Sequence, residues 1–152
     1  MSFLSVRDVH ASYGSSRALF GVSLEIAEGE CVCLLGRNGV GKSTTMRAIM
    51  GLNPPTKGQV IWKGRDIAGL SPFRIAREGI GFVPENRRVF AELSVRDNLE
   101  VAADAAGRRG RWTVEAVFGL FPKLRELPDR QSGFLSGGEQ QMLTIGRALL
   151  TN

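Results

Sequence analysis

The sequence predicts an α/β domain with an antiparallel β layer on its N-terminal side and helices toward its C-terminal side. Three observations predict it. An apolar stretch, Cys31-Val32-Cys33-Leu34-Leu35, runs straight into Gly36-Arg37-Asn38-Gly39-Val40-Gly41-Lys42-Ser43-Thr44, which fits the pattern G-x-x-x-x-G-K-[ST]. Met46, Ile49 and Met50 follow at helical spacing, so strand, glycine loop and helix stand in direct succession. Upstream, Val22, Leu24 and Ile26 alternate with Ser23, Glu25 and Ala27 as in a half-buried strand; beyond residue 94 the apolar spacing turns helical.

Taken in order, Leu4 to Tyr13 has strand character around Val6 and Val9, and Gly14-Ser15-Ser16 is a turn into the strand through Val22–Ala27. Glu28-Gly29-Glu30 turns the chain into the Cys31–Leu35 strand. Cys31 and Cys33 share a face of that strand, a poor geometry for a disulfide, and read as small core residues. A helix is expected from about Gly41. Asn53-Pro54-Pro55-Thr56-Lys57-Gly58 breaks the pattern before a short strand over Val60–Gly64. Ser71 is the expected N-cap of a short helix over Pro72–Arg77. Gly79 to Pro84 reads as another buried strand, and Glu85 to Leu93 as an irregular link. Ser94-Val95-Arg96-Asp97 resembles a capping arrangement for a helix through about Ala105. Gly107 to Gly110 is a loop. Thr113 caps a helix with the apolar stripe Val114, Val117, Phe118 and Phe121, which Pro122 ends. Phe134 to Gly138 leads into a last helix from about Glu139, with Met142, Ile145 and Leu149 on one side.

The loop residues match a chemical task. Gly36, Gly39 and Gly41 allow a tight turn in which the backbone N–H groups from Gly36 through Arg37, Asn38, Gly39, Val40 and Gly41 share one concavity, which suits an anion. The positive end of the following helix adds to that field. Lys42 brings a mobile cation to the β- and γ-phosphates of a nucleotide, Ser43 a hydroxyl to Mg²⁺, and Thr44 a bond to phosphate or backbone beside it.

Bulk properties exclude several classes. The 152 residues, 43% hydrophobic and 23% charged, are those of a globular domain. No apolar run approaches the roughly 18 residues that would span a bilayer. Arg7 and Asp8 stand where a signal peptide would be apolar, so a cytoplasmic location is expected. The net charge is +5, but the basic residues are scattered. The tightest group, Arg108, Arg109 and Arg111, reads as a solvated loop with no interleaved aromatic, so no nucleic-acid partner is expected. One histidine, His10, and two cysteines leave too few ligands for a thiolate–imidazole metal site.

A second motif, Leu135-Ser136-Gly137-Gly138-Glu139-Gln140-Gln141, is by itself a small-residue turn opening a helix. Together and in this order, the two motifs resemble the nucleotide-binding subunit of an ABC transporter. Leu135, Ser136, Gly137, Gly138 and Glu139 match that family's signature, with Glu139 in place of the usual Gln. Val83-Pro84-Glu85-Asn86-Arg87-Arg88-Val89-Phe90, taken with the stretch from Leu135 to Leu143, resembles one branch, the ATP-binding subunits of branched-chain amino acid importers.

The resemblance implies an ABC-type P-loop NTPase fold with an incomplete core sheet. Residues 1–84 would form the β layer and phosphate-loop core, 85–138 a coupling link and helical subdomain, and 139–152 the signature helix. Tyr13 stands where an aromatic residue stacks on adenine. Glu85 stands where a glutamine usually senses Mg²⁺ and the γ-phosphate, so Ser43 and Glu85 are the implied metal-site residues. Lys42, Ser136 and Gly138 are the implied catalytic residues, Ser136 and Gly138 acting on ATP held by a second, identical or paralogous, nucleotide domain. The implied cofactors are ATP and Mg²⁺. The implied partners are that second domain, membrane-spanning permease subunits and, indirectly, an extracytoplasmic solute-binding protein; the implied location is the inner face of the cell membrane.

The family's Mg²⁺-supporting aspartate, water-activating glutamate and later histidine cannot be assigned, because no apolar run ending in Asp-Glu occurs before Thr151-Asn152. The expectation is that these residues alone bind nucleotide weakly without normal turnover. A non-catalytic nucleotide-binding remnant, an ABC ATPase outside transport, and a nucleotide kinase or GTPase remain as alternatives. The last of these leaves Ser136-Gly137-Gly138 unexplained.

Overall fold

The computed structural model describes residues 2–86, 88–107 and 110–151; Arg87, Arg108 and Arg109, and with them part of the basic group and of the 83–90 stretch, lie outside the described residues. The chain divides into two compact units, Met1–Ile75 and Ala76–Asn152.

The first unit carries one antiparallel sheet in the order β2-β1-β3-β4, made of β1 (Ser2–Tyr13), β2 (Ser16–Ala27), β3 (Lys57–Trp62) and β4 (Arg65–Asp66). Tyr13 pairs with Ser16, so Gly14 and Ser15 form a two-residue loop, with Gly14 at φ 57. The Lys63-Gly64 loop between β3 and β4 has positive φ at both residues, the requirement of a type I′ hairpin. β1 carries one extra residue between Val6 and Val9 against both neighbours. Asp8 sits in that bulge at φ 47. Its N–H donates to Ser23 Oγ at 3.0 Å, and its carboxylate meets Lys57 Nζ at 2.8 Å and His10 Nε2 at 3.1 Å. A Cβ on Gly58 would collide with the Asp8 carbonyl, so the bulge and that glycine require each other. Leu4, Val6, Val9, Ala11, Leu19 and Val60 are buried, together with Ala48, Ile49 and Met50 around α1 (Lys42–Ile49), and Ile67 and Ile75. α2 spans Pro72–Arg77.

Two expected strands are absent. Residues 31–35 ladder with no strand among the described residues, and Cys31 and Cys33 are exposed rather than core. Leu35 is 88% exposed. A strand exists only through its hydrogen-bonded neighbour, and none is supplied here. Residues 79–84 likewise form no strand. In α1 the buried face is Thr45, Ala48 and Ile49, while Met46 is exposed. Thr45 can be buried because its hydroxyl donates to the Gly41 carbonyl at 2.9 Å.

The second unit is helical: α3 (Val95–Ala106), α4 (Val114–Leu120), α5 (Pro122–Arg125), a 3₁₀ turn (Ser132–Phe134) and α6 (Gly137–Leu149). Val95, Leu99, Val117, Phe118, Leu124, Leu135, Leu143 and Leu150 form its core. Ser94 caps α3 in a capping box with Asp97, and Thr113 accepts from the Ala116 N–H to cap α4, both as expected. Pro122 does more than stop α4: it opens α5, where its missing N–H costs nothing. α6 begins two residues before Glu139 because Ser136 caps it. Its buried side is Leu143, Thr144 and Gly146, turned from the expected Met142–Ile145–Leu149 face. A Cβ on Gly146 would approach Val117 Cγ1 to 2.6 Å, so the glycine admits α4. Among the described residues no helix is long and apolar enough to cross a membrane.

Candidate nucleotide site

In the first unit the loop over residues 36–41 leads directly into α1. Gly41 is the N-cap at φ 102 and brings no side-chain cap, and no acidic residue stands in the first turn. The positive end of α1 therefore opens on the loop with no local carboxylate to neutralise it. A Cβ at Gly41 would meet Leu19 Cδ2 at 2.8 Å and the Ala18 carbonyl at 3.3 Å, so both the conformation and the space demand glycine. At Gly39, φ 85, the surrounding space is open. Lys42 reaches back over the loop and its ammonium donates to the carbonyls of Gly36 at 2.8 Å and Arg37 at 2.9 Å. That fixes a full positive charge beside a set of loop amides, an arrangement suited to a polyphosphate.

Tyr13, at the end of β1, comes to the same helix. Its hydroxyl interacts with Thr44 and, less strongly, with Arg47, which hold it below the usual phenol range. The ring is 46% exposed, which leaves a face for stacking. Ser43 is exposed in the first turn of α1. Among the described residues no group of three or more His, Cys, Asp and Glu could hold a metal ion. A cation here would draw one hydroxyl from Ser43 and its other oxygens from phosphate and water, the ligand set that suits Mg²⁺.

In the second unit Leu135 is buried in the helical core and anchors the turn that follows. Ser136 and Glu139 form a capping box: the Ser136 N–H donates to Glu139 Oε2 at 2.8 Å, and the Glu139 N–H donates to Ser136 Oγ at 3.3 Å. The bond from the Ser136 backbone, then that from its hydroxyl, hold the Glu139 carboxyl below the usual carboxylate range. Here the glutamate that replaces glutamine has a definite local role, since it closes the start of α6. Gly137 and Gly138 are the first two residues of α6, and a Cβ at Gly138 would meet nothing within 4 Å. Among the described residues no contact requires that glycine. Glu85 lies in an exposed turn of the second unit.

The structure thus gathers Tyr13 and residues 36–44 in one unit, and Leu135 to Glu139 at one helix start in the other. Sequence reasoning missed Arg47 beside Tyr13, for which no pattern existed, and Asn98 and Ser132 around the link. For Asn98 the only signal was its place four residues after the capping Ser94.

A phosphate loop opening a helix after an antiparallel β layer, followed by a helical unit whose last helix begins at Ser-Gly-Gly, defines an α/β nucleotide-binding protein with a helical subdomain. A family profile described as ABC transporter matches residues 19–152, and the chain belongs to that family, one of ATP hydrolases. It is 40% identical over 149 residues to the high-affinity branched-chain amino acid transport ATP-binding protein BraG of Pseudomonas aeruginosa, covering 97% of this chain and 64% of that protein. It is 36% identical over 143 residues to the probable branched-chain amino acid transport ATP-binding protein LivF of Archaeoglobus fulgidus, covering 93% of this chain and 61% of that protein. The chain therefore spans 61% to 64% of the length of these two relatives. A solved ATP-binding cassette, a dimer in a post-hydrolysis state bound to ADP and Pi, superposes with a TM-score of 0.80 at 29% identity, covering 98% of this chain and 70% of that one. The fold class is that of an ABC-type P-loop NTPase whose core sheet is incomplete among these residues.

Proposed function

We propose that the chain forms part of the ATP-binding subunit of an ABC importer and that ATP binding and hydrolysis there drive uptake of branched-chain amino acids. The phosphate-loop geometry carries this reading: an ammonium fixed on the carbonyls of Gly36 and Arg37, beside a helix start that has neither a side-chain cap nor an acidic neighbour. The transport branch is supported by the names of the two curated relatives and by the stretches around Glu85 and Glu139.

Each residue then has a physical role. The amides of residues 36–41 and the start of α1 hold the phosphates, Lys42 neutralises the β- and γ-oxygens, and Thr44 orients Tyr13 for stacking on adenine. Stacking contributes about 1–3 kcal/mol without reading the base strictly. Ser43 would offer its hydroxyl to Mg²⁺, which when bound would supply Lewis-acid stabilisation of charge on the phosphates. Ser136 and the open flank of Gly138 meet ATP bound on a second nucleotide domain, so nucleotide joins the pair and its hydrolysis releases it. Glu85 and the link after it carry that motion to permease subunits at the inner face of the membrane, which receive solute from an extracytoplasmic binding protein. Selectivity then lies in those other subunits.

Titration of the chain with a fluorescent ATP analogue and Mg²⁺ tests the site. Lys42→Ala should weaken binding at least about tenfold, the scale of one lost charge-assisted contact. Equal affinity in the two proteins overturns the site. Loss of labelled leucine uptake on deletion of the gene tests the branch; unchanged leucine uptake with loss of an unrelated solute overturns it.

A further inference from the structure

Asn98 is fully buried on α3, yet its amide brings two N–H donors and an oxygen that all need partners. Its Oδ1 accepts from the Phe90 N–H at 2.9 Å. Its two Nδ2 hydrogens are shared among the carbonyls of Phe90 and Ser94 and Ser132 Oγ, each 3.0 Å from Nδ2. Ser132 is itself fully buried and passes the connection on. Its N–H donates to the Leu93 carbonyl at 2.9 Å, and its own carbonyl accepts from Gln140 Nε2 at 3.3 Å. Gln140 lies one turn into α6, with its N–H on the Ser136 carbonyl at 2.9 Å. Beside this path the Gly133 N–H donates to the Ala91 carbonyl at 2.9 Å. One side chain therefore joins the link at residues 90–94, the start of α3 and the chain segment that leads into Ser136.

We propose that Asn98 is a positioning residue for the Leu135–Glu139 turn, setting through Ser132 and Gln140 where Ser136 and Gly138 present themselves. What the turn does when so placed rests on the function proposed above; the placement itself rests only on these bonds. The residue type matters. An aspartate of the same shape has no N–H to offer and sets a carboxylate against the carbonyls of Phe90 and Ser94. A leucine fills the space and leaves the Phe90 N–H unpaired. Because the amide holds Phe90 and Ser132 together, the link cannot shift at Phe90 without either carrying Ser132 along or breaking buried hydrogen bonds. The position of the link is thereby felt at the turn that opens α6.

A brace for the whole unit and a device that places one turn differ in where the damage falls when they are removed. Hydrogen exchange on the 152-residue chain separates them, using Asn98→Asp and Ser132→Ala. In Asn98→Asp the amides of Ser132, Gly133, Ser136, Glu139 and Gln140 should exchange at least about tenfold faster, while those of Val117, Phe121 and Leu150 stay within about twofold. Ser132→Ala leaves the bonds from Asn98 to the link intact and should give the same pattern at smaller amplitude. It decides the matter alone if Asn98→Asp does not fold. Uniform acceleration across the unit, or unchanged exchange at Ser136 and Glu139, overturns the proposal. A fluorescent ATP analogue titrated into the same proteins keeps the two questions apart. Affinity lost in Lys42→Ala should survive in Ser132→Ala. An unmodified chain that binds no nucleotide defeats the functional reading, while the exchange pattern still judges the positioning.

Discussion

Gly41 gives the sharpest quantitative test of the phosphate loop. Replacing it with alanine acts twice. A side chain at φ 102 carries backbone strain of about 1–3 kcal/mol. The new Cβ also stands 2.8 Å from Leu19 Cδ2 and 3.3 Å from the Ala18 carbonyl, and Leu19 is only 2% exposed, so it has little room to retreat. Overpacking of that kind costs about 1–3 kcal/mol more. Gly39→Ala carries the strain at φ 85 but meets nothing within 4 Å, so it serves as the internal control. Gly41→Ala should therefore destabilise the first unit by roughly 2–6 kcal/mol, and Gly39→Ala by roughly 1–3 kcal/mol. Urea unfolding followed by tryptophan fluorescence measures this unit by unit, because Trp62 lies in the first unit and Trp112 in the second. In a Trp112→Phe background only the first is seen. If the two glycine variants unfold within about 0.5 kcal/mol of each other, the close approach of β2 to the loop is not what fixes residue 41.

Two further predictions separate function from stability. Gly138→Ala meets open space within a helix and should raise stability by up to about 1 kcal/mol, yet prevent ATP-driven pairing; light scattering with nucleotide alongside urea unfolding checks both signs. Asp8 has its carboxyl held below the usual range, first by its hydrogen bond from Lys57 and then by that from His10. A depressed folded-state value means that its contribution is present above the unfolded carboxylate pKa and lost as pH falls through the folded one. Asp8→Asn should therefore flatten the acid limb of the stability curve below about pH 4 and leave its shape near neutrality unchanged, as read from urea midpoints across pH.

What could be read from the sequence followed the range of the physics. The glycine loop and the Ser94–Asp97 box were legible because their demands fall within a few residues of chain; the Ser136–Glu139 box, equally local, was not read, and α6 starts two residues earlier than expected. Residues 31–35 were not, because an apolar stretch announces burial but not the partner strand that must provide it. The buried face of α6 was misjudged because the close approach of Val117 at Gly146 belongs to another helix. Asn98 was invisible for a related reason: an asparagine on a helix reads as solvent-facing until Phe90 and Ser132 are known to surround it. Tyr13 was placed by resemblance, whereas its tie to Thr44 came only from the fold.

The extra residue in β1 also works like a frameshift in the alternation of the strand. Before it the inward positions are even, Leu4 and Val6; after it they are odd, Val9 and Ala11. Tyr13 inherits the odd phase, which brings its hydroxyl to Thr44 on α1. Were β1 regular, Ser12 would take the inward phase and the ring of residue 13 would project from the opposite face of the sheet. A single extra residue, with Asp8 in the bulge five positions upstream, thus decides which side of the sheet presents the ring of Tyr13.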